Sequence, residues 1–446
     1  MSDKVSYVAK WILLGLVTSL GITCAHKPLP KNGPIPTTLV LGVDGISYLT
    51  FKKLQDGGHF RNFMPVAPMY ASFPSISDPN WTKLYNLPIE RGFTKAFFDP
   101  TIKTPTGMGK ENGGITSHFT RHPLYEDVSD FRLEGAWEHL SMLIWTETTA
   151  LYWLESLEKQ FFEFRGRKNY FGLIINSDIL SHTEGEKNVM KYLVKIEERI
   201  EKIQKRYKEL YHQDLEVIFV SDHGNTFLKP KDVLFQPALE KAGWKFAPTI
   251  AHPKDIGFYV PEMLSFAAFY CQPKSARELA LNLAKINHIQ TTFYAESPTD
   301  IRAIGLHGLG EAQLIVDEKN EMVDYKVLRG PDPLKQTKYF KKGPLSFDAY
   351  FLASQNDIYP NVVTRVWEGF TNNSITKPQV LVDPELGYVF GNKALRLVTE
   401  VRGFSSTHGG LHREQTMGIF VSTKRQFPAI RPQDFRKFVR VDNIGK

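Results

Sequence analysis

Three apolar segments, each followed by acidic residues, constrain the fold of this chain more than any other feature. The segments Thr37–Val43, Tyr170–Ile175 and Leu215–Val220 are rich in β-branched and aliphatic residues and show no polar alternation. Such continuous runs are typical of strands that are buried on both faces of a parallel sheet. We therefore predict that the three segments are strands of one parallel sheet.

Long segments with helical spacing lie between these strands. Leu133–Phe164 is rich in Trp, Leu and Glu, and Glu184–His212 repeats apolar residues at helical intervals among Lys and Glu. Strands that alternate with helices predict an α/β fold with a mostly parallel central sheet flanked by helices. Ligands of such folds bind beyond the carboxyl ends of the strands, so the acidic residues there are expected to meet.

The alternation weakens after the third strand. Residues 229–403 contain a helical stretch at 276–286, a hairpin-like stretch at 312–327 and many Pro and Gly residues. The chain then returns with a strand-like segment, Met417–Val421. We predict one catalytic domain, 37–446, that carries a cap-like insertion at about 229–403.

The N-terminus predicts export. Lys4 and Lys10 precede the apolar run Trp11–Ile22, which has the length of a signal-peptide core and is short for a membrane span. We predict a signal peptide or lipoprotein signal at 1–25. Cleavage by signal peptidase and lipidation of Cys24 both fit, and we favour lipidation, which gives a periplasmic or membrane-anchored protein.

The segment 26–36 is polar and rich in Pro, which suits a semi-rigid tether between an anchor and a folded domain. Cys271 is the second of only two cysteines. A disulfide between Cys24 and Cys271 would join the tether to the domain. A buried free thiol at Cys271 is therefore the preferred prediction.

Composition and charge narrow the classes of function. The net charge is +7, but the basic residues are dispersed and form no DNA-reading arm, so we predict no nucleic-acid partner. The hydrophobic fraction of 42% and the charged fraction of 23% are ordinary globular values. They argue against a disordered chain and against a multispanning membrane protein.

Three carboxylates and three imidazoles follow the predicted strands or lie in a Gly-flanked loop near the C-terminus. Each of them alone has a structural explanation, such as a helix cap or a turn that ends a strand. Together they suffice for two metal ions. Imidazoles combined with carboxylates fit Zn²⁺ better than Mg²⁺ or Ca²⁺, and Mn²⁺ is a second option. The six candidate ligands are Asp44, Asp178, His182, Asp222, His223 and His408.

The order of these ligands resembles the alkaline phosphatase superfamily and, within it, the nucleotide pyrophosphatase/phosphodiesterase family. Its metal ligands occur as Asp, then Asp and His, then Asp-His, then His. The segment Phe73–Asn80 is similar to the family's segment in which Thr or Ser precedes x-Pro-Asn at a helix start, and Ser77 takes that position. The likeness continues in residues 91–100. The sequence departs from the family pattern at Tyr85-Asn86, where the family has Thr-Gly, and at Arg91, where the family has His.

The resemblance implies an exported two-metal phosphoesterase that hydrolyses phosphodiesters or phosphomonoesters through a phosphoseryl intermediate on Ser77. It also implies that Asn80 stabilises the phosphoryl oxygens. A helix start at Ser77 suits a phosphate, because backbone N–H groups are exposed there. The implied ligands are Asp44, Ser77, Asp222 and His223 for one ion, and Asp178, His182 and His408 for the other.

The residue after the candidate nucleophile indicates which class of substrate the site would accept. The family places an aromatic ring there, which stacks on a nucleotide base, whereas this chain has Asp78. A carboxylate beside a phosphate repels further negative charge, so we expect a small-molecule or lipid-headgroup phosphoester with a neutral or cationic leaving group. The alternative that Asp78 only caps the helix stays open. Phe97 and Phe98 are further candidates for substrate contact.

Several rival functions share the motif. A sulfatase is disfavoured because Trp81 replaces the Arg that its modified segment requires. A phosphoglycerate mutase is disfavoured by the export signal. A phosphoethanolamine-type transferase shares the nucleophile and the metals, although such enzymes usually carry several membrane spans. An inert exported binding protein would be expected to lack a ligand or the nucleophile, and none is missing here.

Overall fold

A computed structural model describes residues 31–104, 107–112, 123–131, 146–258, 264–391 and 404–441. Its strands are β1 (Thr38–Val43), β2 (Ala67–Tyr70), β3 (Phe97–Thr104), β4 (Gly107–Asn112), β5 (Asn169–Ile174), β6 (Glu216–Val220), β7 (Lys231–Asp232), β8 (Lys245–Phe246), β9 (Asp255–Phe258), β10 (Ala267–Tyr270), β11 (Ile289–Ser297), β12 (Asp300–Gly305), β13 (Glu311–Asp317), β14 (Met322–Arg329), β15 (Leu345–Ser346), β16 (Val380–Pro384), β17 (Tyr388–Val389) and β18 (Met417–Ser422). Its helices are α1 (Tyr48–Asp56), α2 (Ser77–Tyr85), α3 (Thr146–Glu163), α4 (Asn176–Glu184), α5 (Glu186–Tyr211), α6 (Gln236–Lys241), α7 (Ala276–Leu283), α8 (Phe347–Ser354), α9 (Val362–Thr371) and α10 (Arg413–Thr416).

The central sheet has the strand order β2-β18-β6-β1-β5. The strand β1 pairs in parallel with both β5 and β6, and all six of its residues are buried. The strand β18 is antiparallel to its neighbours β6 and β2. The three predicted parallel strands are confirmed to within a residue at each end, because an apolar run without alternation requires cover on both faces of the sheet.

Helices cover both faces of the central sheet. The long helix α5 buries Val189, Leu193, Ile196 and Ile200, which recur at intervals of three and four residues on one face. This face packs with α3 and α1 against one side of the sheet, and α2 packs against the other side. The helix predicted from position 184 is confirmed. Of the helix predicted at 133–164, the part before residue 146 lies outside the described residues.

A second sheet is formed by residues between Lys245 and Pro384. Its order is β15-β14-β13-β12-β11-β16-β10-β9-β8, and its pairings are antiparallel except for the parallel pair β8 and β9. The predicted hairpin corresponds to β13 and β14, and the predicted helix that begins at Ala276 is α7. The two faces of this sheet carry separate apolar cores. Its role as a cap stays a prediction.

The described N-terminal residues lie along the central domain. Lys31 forms an isolated β-bridge with Arg165, and the carbonyl oxygen of Pro34 accepts a hydrogen bond from Gly166 N at 3.1 Å. This part of the predicted tether is therefore in contact with the domain. The predicted signal at 1–25 lies outside the described residues. Among the helices that the structure describes, none has the length and apolar character needed to cross a membrane.

Cys271 is a free thiol in the core between the second sheet and α7. Burial raises the pKa of this thiol to about 12, so it stays protonated at neutral pH. Since the thiolate is the reactive form of cysteine, Cys271 is expected to be inert. The predicted buried thiol is confirmed, whereas Cys24 lies outside the described residues.

Candidate active site

The topology of the central sheet brings five segments of the chain to one edge. The carboxyl ends of β1, β5 and β6 share this edge because the three strands are parallel, and they lead into Asp44, Asp178 and Asp222. The strand β2 has the same direction and leads towards Ser77. The strand β18 runs the opposite way, so the loop before it, which carries His408, lies at this edge as well.

The turn after β1 is linked to two of the predicted ligands, to Asp222 directly and to Asp178 through Asn225. Gly45 has a φ of +65°, and a side chain there would collide with the carboxylate of Asp178. Its N–H donates a hydrogen bond to Asp222 Oδ1 at 3.3 Å. Asn225 Nδ2 donates to Gly45 O at 2.8 Å and to Asp178 Oδ1 at 3.0 Å. The carboxylates after β1, β5 and β6 are therefore joined through one tight turn.

The first ligand cluster consists of Asp178, His182 and His408. Asp178 and His182 lie one turn apart on α4, with His182 Nε2 at 3.2 Å from Asp178 Oδ2. His408 Nε2 approaches the same carboxylate oxygen at 3.5 Å. One ligand atom from each residue lies within 4.8 Å of the others, so the three side chains can hold one metal ion.

The second ligand cluster consists of Asp44, Asp222 and His223. His223 Nε2 lies 3.4 Å from Asp222 Oδ2 and 3.8 Å from Asp44 Oδ1. These ligand atoms also lie within 4.8 Å of one another. The two clusters are adjacent, because the rings of His223 and His408 stack with their centroids 4.0 Å apart. The structure thus brings together all six predicted ligands in two groups of three.

The backbone fixes the orientation of each of the three imidazoles. His182 Nδ1 lies 3.0 Å from Ser406 O, His223 Nδ1 lies 3.0 Å from Gly224 O, and His408 Nδ1 lies 3.0 Å from Ser75 O. A carbonyl oxygen can only accept, so each Nδ1 carries the proton and each Nε2 presents a lone pair to the carboxylates. Metal-binding histidines have this arrangement, in which the second nitrogen donates to the backbone.

The electrostatics of the second cluster also favour a cation. Burial and then the neighbouring carboxylates of Asp222 and Asp178 raise the pKa of Asp44 well above its usual range. Burial raises the pKa of Asp222 to about 7. Asp222 Oδ2 is buried without a hydrogen-bond partner among the described residues, and the lone pair of His223 Nε2 faces it. A cation between these atoms would offset the repulsion between the carboxylates and would give Asp222 Oδ2 a partner. The residues therefore fit a metal ion.

In the first cluster, the neighbouring side chains lower the pKa of the carboxylate instead of raising it. Burial acts to raise the pKa of Asp178, yet the imidazoles of His182 and His408 hold it well below its usual range. Burial, and then the proximity of His223, lowers the pKa of His408. Asp178 is therefore held in the ionised form in which a carboxylate binds a metal ion, and the lowered pKa of His408 favours the neutral imidazole that a metal ion requires.

Ser77 lies beside the second cluster as the first residue of α2. Its hydroxyl donates to Asp44 Oδ1 at 3.1 Å and lies 3.3 Å from His223 Nε2. Trp81, one turn further along α2, donates from Nε1 to the same Asp44 oxygen at 3.2 Å. The ring of Trp81 packs closely on β1 at Gly42, where a side chain would approach it to 2.9 Å.

Trp81 is a site residue that sequence analysis used only to disfavour a sulfatase. Its position four residues after Ser77 places it on the same face of the helix, and this spacing was the available signal. The hydrogen bond to Asp44 fixes one oxygen of a carboxylate that also accepts from the serine. Trp81 therefore orients the carboxylate beside the candidate nucleophile.

Asn80 occupies a different position from the one that its predicted role requires. It is fully buried, and its Nδ2 donates to Pro74 O at 3.3 Å and to Ile76 O at 2.8 Å. Its Oδ1 accepts from the N–H and the hydroxyl of Ser72. Both amide hydrogens are thus already donated, so Asn80 holds the loop that precedes the serine and does not present a donor to a phosphoryl oxygen.

The three candidate substrate contacts differ in position. Phe98 is 2% exposed and packs against Tyr270 at 5.3 Å in the core of the second sheet, so its predicted contact with substrate is wrong. Phe97 is also buried, which removes it from a substrate surface. Asp78 is half-buried in the first turn of α2, and its Oδ1 accepts a hydrogen bond from the hydroxyl of Tyr125 at 3.1 Å. Asp78 thus remains beside the serine.

The chain has an α/β fold of the alkaline-phosphatase-like type, which confirms the predicted fold class, and it places two clusters of candidate ligands beside a serine. Among solved structures, the chain is similar to human ectonucleotide pyrophosphatase/phosphodiesterase 5, with a TM-score of 0.50, 11% identity, and coverage of 90% of this chain and 93% of that chain. At this identity the likeness shows the fold alone.

Two further similarities have lower TM-scores. The murine ectonucleotide pyrophosphatase/phosphodiesterase 5 has a TM-score of 0.47 and 12% identity, with coverage of 90% of this chain and 93% of that chain. Phosphonoacetate hydrolase from Sinorhizobium meliloti 1021 has a TM-score of 0.49 and 10% identity, with coverage of 93% of this chain and 97% of that chain. No protein-family model matches the sequence, and neither does any curated protein.

Proposed function

We propose that this protein is a metal-dependent phosphoester hydrolase with Ser77 as its nucleophile. One observation carries the proposal: three imidazoles, each held by a backbone carbonyl at Nδ1, direct Nε2 at carboxylates beside a serine hydroxyl. A serine that only caps a helix does not need candidate metal ligands at hydrogen-bond distance, where Asp44 and His223 lie here. The human protein of similar fold is named as a nucleotide pyrophosphatase/phosphodiesterase, which agrees with phosphoester chemistry.

Two Zn²⁺ ions are the proposed cofactors, with Mn²⁺ as the second option. Asp178, His182 and His408 would hold one ion, and Asp44, Asp222 and His223 the other, with Ser77 as a fourth ligand. Mixed imidazole and carboxylate sets with an open position are typical of catalytic zinc sites. When bound, the ions supply positive charge that stabilises the phosphoryl and leaving oxygens.

The chain itself positions and activates the serine. Asp44 accepts the hydrogen bond of the Ser77 hydroxyl, and Trp81 holds the acceptor oxygen in place. The N-terminus of α2 adds partial positive charge at Ser77, which favours a phosphate group there. The serine is half-buried, so a substrate can reach it.

The proposed reaction has two steps. Ser77 Oγ bonds to phosphorus, the bond from phosphorus to the leaving oxygen breaks, and the leaving group departs as an alcohol with the proton that the serine has lost. Water then attacks the phosphoserine, the serine regains its proton, and the phosphate product is released. The net reaction is hydrolysis of one phosphoester bond, of either a diester or a monoester.

The proposed substrate is a small-molecule or lipid-headgroup phosphoester with a neutral or cationic leaving group. The support is the carboxylate of Asp78, which follows the nucleophile and is held by Tyr125. Its charge would repel a polyanionic nucleotide. We also propose that the protein is exported, on the basis of its N-terminal sequence.

Hydrolysis of p-nitrophenyl phosphate and bis-p-nitrophenyl phosphate by the full chain, with added Zn²⁺ and after chelation, tests the proposed function. We expect metal-dependent turnover of at least one ester and about two zinc ions per chain by metal analysis. A metal-loaded protein that hydrolyses neither ester would contradict the hydrolase. Full activity in a preparation with one ion or none would contradict the two-metal site.

A further inference from the structure

Arg365, in the middle of α9, is a buried cation whose hydrogen bonds go to neutral oxygens. It is 1% exposed. Its Nε donates to Ala71 O at 2.7 Å, its Nη1 to Pro360 O and Leu411 O at 3.1 Å each, and its Nη2 to Ser75 Oγ at 3.0 Å. Burial lowers its pKa to about 10, so it stays charged at neutral pH.

A buried guanidinium charge destabilises the fold, so its presence at this position needs a structural reason. Burying a guanidinium without a direct carboxylate partner opposes folding, and an apolar side chain of similar volume avoids this penalty. The guanidinium differs from an apolar group in one useful respect, because its planar donors hold several acceptors at fixed relative positions. The acceptors of Arg365 therefore indicate which segments of the chain the guanidinium holds in place.

Three of these four acceptors, on Ala71, Ser75 and Leu411, belong to the two loops that carry the candidate nucleophile and a candidate ligand. Ser75 lies two residues before Ser77, and Leu411 lies three residues after His408. The loops are also joined directly. Ser75 N donates to Gly409 O at 3.1 Å, and His408 Nδ1 lies 3.0 Å from Ser75 O. Arg365 thus contacts both loops at the point where one orients the imidazole of the other.

The rest of α9 is packed against the same loop and against α2. Gly369 permits a close approach, because a side chain there would lie 2.9 Å from Phe73 O. Asn373, just beyond the helix, donates to Phe73 O. Glu368 Oε2 lies 2.8 Å from Lys83 Nζ on α2 in a largely buried ion pair. The helix is therefore a rigid support for the loop that precedes the nucleophile.

We propose that Arg365 is a positioning residue that sets the distance between Ser77 and the ligand His408. It does so by holding Ser75 Oγ and Leu411 O on one planar group, which keeps the two loops in register. The catalytic consequence rests on the proposed function, whereas the coupling of the two loops does not.

Hydrogen exchange of the full chain, measured by mass spectrometry, tests the coupling. In Arg365→Met we expect faster exchange in peptides that cover residues 71–76 and 407–412 together, with α5 unchanged. Trp367→Phe is the matched control on the same helix, because Trp367 is buried and donates to Pro298 O away from the site. Unchanged protection in both loops, or an equal loss across the molecule, would overturn the proposal.

Steady-state kinetics with bis-p-nitrophenyl phosphate tests the catalytic consequence. We expect Arg365→Met to lower kcat by about 30- to 100-fold, as misplaced reacting groups do, while KM changes less than about threefold. Arg365→Lys, which keeps the charge and one donor, should recover part of kcat. An equal kcat in Arg365→Met and Trp367→Phe would refute a positioning role.

Ser75→Ala supplies a second variant in case Arg365→Met fails to fold. It keeps the guanidinium and removes the hydroxyl that accepts from Nη2 and donates to Gly410 O. We expect the same two loops to lose protection, by a smaller amount, and full protection would again overturn the proposal. If wild-type protein hydrolyses no ester but the exchange result is as expected, the hydrolase proposal fails and the coupling stands.

Discussion

Trp81 Nε1 donates a hydrogen bond to Asp44 Oδ1 at 3.2 Å, in a site where both side chains are buried. This carboxylate oxygen also accepts from the hydroxyl of Ser77 at 3.1 Å. One indole thus holds the oxygen that the candidate nucleophile uses. The ring of Trp81 packs in the core beside Gly42 of β1, while its N–H reaches the carboxylate of the site.

Trp81→Phe should weaken the site while keeping the fold. The ring is replaced by a smaller one and the donor to a buried carboxylate is lost, so we expect about tenfold lower kcat. Trp153→Phe is the control, because Trp153 is equally buried and its Nε1 has no hydrogen-bond partner among the described residues. Equal kcat values in the two variants, measured with bis-p-nitrophenyl phosphate, would contradict the assigned role of Trp81.

His408→Ala should remove one metal ion and leave the other. His408 contributes to the cluster with Asp178, whereas the second cluster keeps all three of its ligands. Metal analysis of the purified variant is expected to give about one zinc ion per chain. His288→Ala, which removes a half-exposed imidazole paired with Glu385 on the second sheet, should keep two. Two tightly held ions in His408→Ala would show that His408 is not a ligand.

Ser77→Ala should abolish turnover, by about a thousandfold or more, with near-normal metal content, because it removes the attacking oxygen and keeps all six other ligands. Ser77→Thr keeps a hydroxyl and should retain some activity. Ser75 is the neighbouring alternative, but it is fully buried and its hydroxyl donates to Gly410 O at 2.9 Å. Near-normal turnover of the Ser77→Ala protein would place the nucleophile elsewhere.

Asp222 should make the metal-free protein less stable as pH rises. Burial raises the pKa of Asp222 from 3.8 to about 7, so the folded state keeps a proton that the unfolded state has released. The resulting stability is complete below about pH 4 and is lost as pH rises through about 7. In chelated protein, the free energy of unfolding of Asp222→Asn should therefore exceed that of wild type increasingly with pH, by up to about 4 kcal/mol at pH 8.

Asp214→Asn is the control for this pH experiment. Asp214 is exposed, and the hydrogen bond from Lys208 lowers its pKa, so its contribution to stability is lost only below about pH 4 and stays constant between pH 5 and pH 8. Urea unfolding at pH 5, 6, 7 and 8 measures both variants. A difference between Asp222→Asn and wild type that does not grow with pH would rule out the raised pKa of Asp222.

Asp78→Asn should shift substrate preference towards anionic leaving groups. The variant keeps an oxygen that accepts from Tyr125 and removes only the negative charge beside the nucleophile. We expect kcat/KM for a nucleotide diester to rise about tenfold relative to a choline phosphodiester. Asp56→Asn on α1, whose carboxylate pairs with Lys52 on the surface, should leave the ratio unchanged. A wild-type preference for the nucleotide that Asp78→Asn leaves unaltered would contradict the proposed substrate class.

Much of the site follows from local sequence patterns. The apolar runs determine where β1, β5 and β6 end, because a charged residue is costly inside a strand that is buried on both faces. The acids that terminate those runs therefore had to lie at one edge of a parallel sheet. The residue types at that edge, three carboxylates and three imidazoles, already indicated a metal site. These features depend on residues near one another in the sequence.

The remaining features of the site depend on contacts between segments that are distant in the sequence. Asn80 and Phe98 stand where the sequence resemblance predicts a functional role, yet one is bonded to its own loop and the other lies in the core of the second sheet. Arg365 carries no local pattern that indicates a site, and the only local signal for Trp81 is its spacing of four residues from Ser77. Their roles arise from hydrogen bonds to residues tens to hundreds of positions away. Periodicity reports which face of an element is buried, but only tertiary packing determines which atoms meet across that face.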